Sequence, residues 1–194
     1  TSYQFVDEGF PISFGNIAET DALLRVLKRF PSGLDAALAG SDGALYAFKN
    51  GTYSSSAAPD TSLPIRDRWG RVRNVFIDNN RVDGAFAYNG KTYLFCADQY
   101  VRYSGTNYAN VDEGYPRSTR PHWNTLEGLG NIPAGLPLPV TAVAVGRAPG
   151  STTDDLYFFG GTQFASPSGA LASVKSAWAR VRNTIQQSGV VDAA

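Results

Sequence analysis

The chain contains 194 residues, of which 17 are basic and 17 acidic, so its formal net charge is zero. This balance excludes a global field that would attract nucleic acid or an anionic membrane, and no run of about 20 apolar residues is present to span a bilayer. The single cysteine, Cys96, excludes an internal disulfide and leaves the redox compartment open, and we expect a secreted, extracellular protein.

The N-terminal region contains a predicted helix and a segment that recurs later in the chain. Thr20 to Phe30 has apolar residues at helical spacing and predicts a short helix. Val6 to Pro11 is nearly identical to Val111 to Pro116, so the chain begins late in a repeating unit. Residues 191–194 resemble the opening of such a unit.

Three segments then follow one pattern of strands and turns. Each opens on a short extended run, continues into an aromatic strand, and places a second aromatic residue seven positions after the first. The paired aromatics are Tyr46 and Tyr53, Tyr93 and Tyr100, and Tyr157 and Phe164. Asn50-Gly51 and Asn89-Gly90 predict tight hairpin turns, since both residues of such a turn take positive φ.

Each segment ends at a tryptophan, which is Trp69, Trp123 or Trp178. We interpret the tryptophans as packing residues because they occupy equivalent positions in the three repeats. Units repeated at this spacing cannot bury their apolar faces singly, so they must pack against one another.

The pattern resembles the hemopexin-like repeat, in which a DAA-type opening leads through a YxF strand to a tryptophan in a short helix. It runs from Leu34-Asp35-Ala36-Ala37 to Trp69, from Val82-Asp83-Gly84-Ala85 to Trp123, and from Val140-Thr141-Ala142-Val143 to Trp178. The resemblance implies an all-β fold, a four-bladed β-propeller with short helices between the blades.

The resemblance also implies a single domain, residues 1–194, with repeats at about 34–81, 82–139 and 140–190. The fourth blade is either completed from both chain ends, residues 191–194 and 1–33, or truncated. An open blade edge would present unpaired backbone groups, so we expect this edge either to be covered by the N-terminal segment or to form a dimer.

A central tunnel beside the start of each DAA-type strand is a further implication of the resemblance. In that family, backbone carbonyls at these strand starts commonly hold a cation, and the matching positions are Asp35, Asp83, Thr141 and Asp192. A ring of oxygens suits calcium or sodium, or the ammonium groups of a polyamine. The alternative is structural, because an aspartate at a strand start can bond nearby amides and set the turn.

Residues suited to haem ligation or catalysis are few. His122 is the only histidine and methionine is absent, which disfavours a haem site, since the usual axial pairs are missing. Cys96 follows an aromatic strand, where a buried thiol is poorly ionised. No phosphate-binding loop and no clustered His/Cys metal motif occurs. We therefore predict that the protein is not an enzyme.

Residues outside the repeat pattern are better candidates for recognition. Tyr103, Tyr108 and Tyr115 are predicted to lie on an exposed rim, because aromatic and arginine side chains dominate recognition patches. A basic strip comprises Arg66, Arg68, Arg71 and Arg73. The alternative for this strip is an ordinary solvated face.

Together these features predict a noncatalytic binding module that recognises a protein, a glycan or a small ligand, with a tunnel able to hold a cation. Two alternatives stay open. One is a structural or targeting domain of a larger toxin, because the pattern looks like plant seed albumins, bacterial photopexin-like proteins and modules of bacterial insecticidal toxin complexes. The other is a haem or polyamine carrier.

Overall fold

The computed structural model describes residues 22–69, 81–106, 108–147, 152–177 and 191. These residues form three antiparallel four-stranded sheets, and within each sheet the strands lie side by side in chain order. We call the sheets blades 1, 2 and 3.

Blade 1 is preceded and followed by short helices. Its strands are β1 (Ala36–Ala39), β2 (Leu45–Lys49), β3 (Thr52–Ser55) and β4 (Ala58–Pro64). Helix α1 (Ala22–Lys28) packs on this blade, and helix α2 (Ile65–Arg68) follows β4. The β2–β3 turn is the predicted Asn-Gly turn, with φ of 49° at Asn50 and 78° at Gly51.

Blade 2 has the longest hairpin of the three. Its elements are β5 (Gly84–Tyr88), β6 (Lys91–Cys96), β7 (Gln99–Ser104), β8 (Arg117–Ser118) and helix α3 (Thr119–Leu126). In the predicted β5–β6 turn, φ is 50° at Asn89 and 72° at Gly90. Side chains of β6 are buried from Thr92 to Cys96, as expected for a strand covered on both faces.

Blade 3 repeats the arrangement with shorter outer strands. Its elements are β9 (Ala142–Gly146), β10 (Asp155–Gly160), β11 (Gln163–Ala165), β12 (Leu171–Ser173) and helix α4 (Val174–Ala177). The long β9–β10 connection carries an ion pair between Arg147 and Asp154, with 2.6 Å between Nη2 and Oδ1.

The fourth predicted blade falls mostly outside the described residues, which include only α1 and the segment after it from residues 1–33, and Val191 from residues 191–194. Trp178 also lies outside them. The three sheets confirm the predicted all-β architecture, whereas closure into a four-bladed ring stays a prediction. No helix in the described part of the chain is long and apolar enough to cross a membrane.

A tryptophan lies at each of the two blade junctions that the structure describes. Trp69, at the end of blade 1, stacks on Tyr108 of the blade 2 repeat, with ring centroids 4.5 Å apart and planes 14° apart. Trp123, at the end of blade 2, meets Phe158 of blade 3 edge-on at 5.5 Å. Both indoles are buried. The repeat-equivalent tryptophans therefore bury apolar area between blades, as the sequence predicted for packing residues.

The innermost strands of the blades lie next to one another, β1 beside β5 and β5 beside β9. Gly84, the first residue of β5, has no side chain and so allows the backbone just before β9 to approach closely. A Cβ atom there would lie 2.5 Å from the carbonyl oxygen of Val140, just before β9. Glycine at this position therefore determines how closely blades 2 and 3 meet at the centre.

Gly84→Ala is expected to lower the free energy of unfolding by about 2 kcal/mol, because the added methyl group overlaps backbone that cannot rotate aside. Gly135→Ala is the matched control, since its Cβ would meet only the end of the Leu171 side chain, at 2.7 Å. Leu171 is 38% exposed and can move. Urea unfolding of both variants checks the prediction, and an equal loss in the two would contradict it.

Candidate binding sites

The residues immediately before the inner strands line a charged pocket of about 310 Å³, which we call the charged inner pocket. Its lining residues are Leu34, Asp35, Lys49, Arg81, Asp83 and Thr141. The other ends of the same strands line an apolar pocket of about 280 Å³, formed by Leu38, Ala39, Phe86, Ala87 and residues 143–145. The structure thus brings three of the four predicted tunnel residues together. The fourth, Asp192, lies outside the described residues.

One backbone hydrogen bond recurs at the start of each inner strand. The amide of the residue just before the inner strand donates to the carbonyl of the last aromatic residue in the neighbouring strand. The pairs are Asp35 with Phe48 at 2.9 Å, Asp83 with Phe95 at 2.8 Å, and Thr141 with Phe159 at 2.9 Å. The three positions are therefore equivalent in backbone geometry, although Thr141 differs in side chain.

The two aspartates fix left-handed residues in the turn between the next two strands of the blade. Asp35 Oδ2 accepts from the amide of Asn50 at 2.8 Å, and Asp83 Oδ2 accepts from the amide of Ala97 at 2.7 Å. Asn50 has φ of 49° and Ala97 has φ of 52°. This is a turn-setting role, as the sequence suggested, but the bonded amide lies across the hairpin, 14 or 15 residues further along the chain.

In blade 3 the corresponding turn residue is Gly161, with φ of 55°, which takes this conformation without steric cost. No carboxylate is present at the strand start. Instead, the Thr141 hydroxyl donates to the carbonyl of Val191 at 2.6 Å. Thr141 thus ties the start of β9 to the residue before the predicted Asp192.

Both aspartates at the charged inner pocket have a cationic partner. Lys49 Nζ lies 2.7 Å from Asp35 Oδ1, and Arg81 Nε lies 2.5 Å from Asp83 Oδ1. Among the described residues, no group of three His, Cys, Asp or Glu side chains is arranged to hold a metal ion. These side chains therefore do not fit a free calcium or sodium ion. A cation on the backbone carbonyls, as the resemblance implies, stays a prediction.

Ala97→Gly is expected to raise the free energy of unfolding by about 0.5–1 kcal/mol, because alanine is strained at positive φ and glycine is not. Ala87→Gly, in the regular part of β5, is the control and should lower it by a similar amount. Thermal and urea unfolding measure both changes. A loss of stability in Ala97→Gly would contradict the assignment of strain.

The expectation that three tyrosines form an exposed rim is wrong. Tyr103 and Tyr108 are at most 1% exposed, and Tyr115 is 9% exposed. The Tyr103 hydroxyl donates to the backbone carbonyl of Trp69, and Tyr108 stacks on the same indole. Tyr103 and Tyr108 are buried because they cover the tryptophan of the preceding blade. Tyr115 instead packs against Tyr100 of its own blade, with ring centroids 5.5 Å apart.

The predicted basic strip is exposed where the structure describes it. Arg66 and Arg68 are both exposed, whereas Arg71 and Arg73 lie outside the described residues. The Arg68 guanidinium lies 5.7 Å from the ring centroids of both Tyr46 and Tyr108. Arg68 therefore covers the blade 1–blade 2 junction while it stays exposed to solvent.

His122 and Cys96, the residues considered for haem ligation or catalysis, line neither the charged inner pocket nor the apolar pocket. His122 is half-buried in α3 beside Trp123, and its Nδ1 atom is enclosed. Cys96 is fully buried at the end of β6. A haem site on His122 stays a disfavoured prediction.

Blade 2 contains a buried carboxylate, Glu127, that no sequence motif indicates. The Glu127 side chain is 1% exposed and accepts hydrogen bonds from the hydroxyls of Tyr93 at 3.1 Å, Tyr100 at 2.9 Å and Tyr115, and from Arg102 at 3.2 Å. Burial, the Glu127 hydrogen bond and the Glu127 charge raise the pKa of Tyr115 to about 12.

The Glu127 carboxyl itself has a lowered pKa. Burial alone would raise it, but the hydrogen bonds from Tyr115 and Tyr100 and the charge of Arg102 outweigh burial. Arg102 is in turn fixed by Asp112, with 2.6 Å between Nε and Oδ2. No spacing in the sequence marks Glu127, because the hydroxyls converge on it only after the strands have paired.

Glu127→Gln is expected to lower the free energy of unfolding at pH 7 by about 2 kcal/mol, through the loss of charge-assisted hydrogen bonds. Because the carboxyl pKa is lowered by folding, its contribution is present above its unfolded pKa and is lost as pH falls through the folded value. The variant should therefore lose less stability than the native protein between pH 7 and pH 3. Urea unfolding across this range measures the difference, with exposed Glu113→Gln as the control. Parallel pH profiles for native protein and Glu127→Gln would contradict it.

A second candidate site lies on the outer side of blade 1. Arg25, Lys28 and Arg29 of the α1 region and Asp60 of β4 line an open cleft of about 600 Å³, which we call the outer basic cleft. Arg25 pairs with Asp60, and Arg29 Nε lies 3.4 Å from the carbonyl of Pro59. The cleft thus combines three cations with one carboxylate. No pattern in the sequence indicates this cleft, because α1 and β4 are about 30 residues apart.

Comparison with known families identifies the middle of the chain. The Hemopexin family model matches residues 82–128, which contain β5 to β8 and α3. This segment is similar to a hemopexin repeat. The resemblance drawn from the sequence is confirmed there, in the blade that the structure describes most completely.

Three solved plant proteins have folds similar to that of the described chain. The seed albumin of Lathyrus sativus aligns with a TM-score of 0.59 and 20% identity, over 83% of this chain and 76% of its own. The hemopexin fold protein of cow pea aligns with a TM-score of 0.57 and 15% identity, over 82% of this chain and 76% of its own. A Cicer arietinum albumin described as showing hemagglutination aligns with a TM-score of 0.58 and 17% identity, over 83% of this chain and 76% of its own.

At these identities the structural comparison establishes the fold alone, which is that of hemopexin-type plant albumins. The comparison with curated proteins found no match.

Proposed function

We propose that this protein is a noncatalytic binding module whose ligand is an anionic glycan, held in the outer basic cleft. The observation that carries the proposal is that, among the described residues, two arginines and Lys28 line the cleft together with one carboxylate, Asp60. A cleft of about 600 Å³ is within the size range of small-ligand sites.

The chemistry of the cleft suits carboxylate or sulfate groups on a sugar. Arginine presents planar, paired N–H donors that match such groups better than an ammonium does. The ion pair with Asp60 holds Arg25 in position, and the contact with Pro59 does the same for Arg29. A protein of the same fold shows hemagglutination, which supports binding to a cell-surface glycan rather than to an acidic peptide.

The placement of the chemically reactive side chains supports a noncatalytic role. Within the described ranges, Cys96 is fully buried, Glu127 is engaged by four donors, and His122 packs beside a core tryptophan. An extracellular location, where glycans are displayed, accords with the proposal and stays a prediction, as do dimerisation and a role within a larger toxin. The proposal does not depend on a cation in the central tunnel.

Screening the full chain against sulfated, sialylated and neutral glycans tests the proposal. Binding to the anionic glycans is expected, and Arg25→Gln/Arg29→Gln should weaken it at least about tenfold, because it removes two charges from the cleft. Raising the salt concentration from 50 mM to 500 mM should weaken it as well.

Lys175→Gln is the matched control, since it removes an exposed charge in α4, away from the cleft. It should bind like the native protein. Preferential binding to neutral glycans, or unchanged binding by the double variant, would overturn the proposal.

A further inference from the structure

We propose that Lys49 and Arg81 act as built-in counter-ions of the charged inner pocket and take the place of a free calcium or sodium ion there. The inference concerns different residues from the outer basic cleft and is independent of the glycan proposal. It assigns a specificity role to two side chains that the repeat pattern does not single out.

The Lys49 ammonium compensates the charge of Asp35 through one of its two carboxylate oxygens. Its Nζ lies 2.7 Å from Oδ1, while Oδ2 accepts from the amide of Asn50 at 2.8 Å. The two side chains are only 24% and 19% exposed. Solvent therefore screens this pair less than it screens an ion pair on the open surface.

Arg81 engages the second carboxylate with two of its nitrogens. Nε lies 2.5 Å from Asp83 Oδ1 and Nη2 lies 3.2 Å from Oδ2, which also accepts from the amide of Ala97. The Asp83 side chain is 9% exposed. The hydrogen bond and charge of Asp83, with a contribution from the charge of Asp35, raise the pKa of Arg81, so the guanidinium stays protonated.

The third strand start adds no negative charge. The Thr141 hydroxyl donates to the carbonyl of Val191, so the charged lining side chains that the structure describes are two carboxylates and two cations, which balance one another. Calcium sites depend on the number of ligand charges, and a divalent ion near two protein cations is repelled. The pocket as built therefore binds free cations weakly, and removal of either cation would create a carboxylate site.

Isothermal titration with calcium chloride alone, on the full chain, tests the inference. Lys49→Met is expected to bind calcium at least about tenfold more tightly than the native protein, because Asp35 loses its counter-ion. Adding Asp35→Asn to Lys49→Met should abolish the gain. Lys91→Met, at the β5–β6 turn, removes the same charge away from the pocket and should bind like the native protein.

Circular dichroism establishes whether each variant is folded. If Lys49→Met does not fold, Arg81→Met provides an equivalent measurement, because it removes the counter-ion of Asp83. A gain of tenfold or more that Asp35→Asn abolishes supports the inference. A smaller gain, or a gain that survives Asp35→Asn, overturns it. Tight calcium binding by the native protein that Lys49→Met leaves unchanged also overturns it.

Discussion

The architecture depends on the burial of a tryptophan from the end of one blade against the aromatic residues of the next. Trp123 meets Phe158 across the blade 2–blade 3 junction, and Trp69 stacks on Tyr108 across the blade 1–blade 2 junction. Truncating a buried aromatic side chain of this size typically costs about 3–5 kcal/mol, a large part of the stability of a domain. Because the chain has one cysteine, no internal disulfide can stabilise these junctions. A blade on its own would expose half of each joint, so neighbouring blades stabilise one another.

Close packing at the centre has an electrostatic consequence. Gly84 lets the start of β5 approach the start of β9, and the packing of β1 beside β5 gathers the carboxylates of Asp35 and Asp83 at one pocket. Two partly buried carboxylates would repel each other unless each were compensated. Lys49 and Arg81 provide that compensation from neighbouring positions. Packing of the inner strands therefore restricts the ligands that the pocket can accept, which links the fold to specificity.

Much of the fold was predictable because it is encoded locally. The repeat of aromatic strands, the Asn-Gly turns and the tryptophans each depend on residues close together in the sequence, and the structure places them accordingly. The exposure of Tyr103 and Tyr108 was predicted wrongly, because their burial depends on a tryptophan from another repeat. Glu127 and the outer basic cleft were missed for the same reason: side chains from distant segments converge there only in the folded chain.

The pairing of an aspartate at a strand start with a left-handed turn residue has a consequence for how the repeats can diverge. In blade 2 the carboxylate of Asp83 holds Ala97 in its strained conformation, whereas blade 3 has Thr141 and Gly161 at the corresponding positions. A repeat that acquired glycine first could then lose its aspartate at little cost, but the reverse order would leave a strained residue without its support. The two positions are thus constrained to change in a preferred order. A strand start without its aspartate can then make a different contact, as Thr141 does when its hydroxyl donates to the carbonyl of Val191.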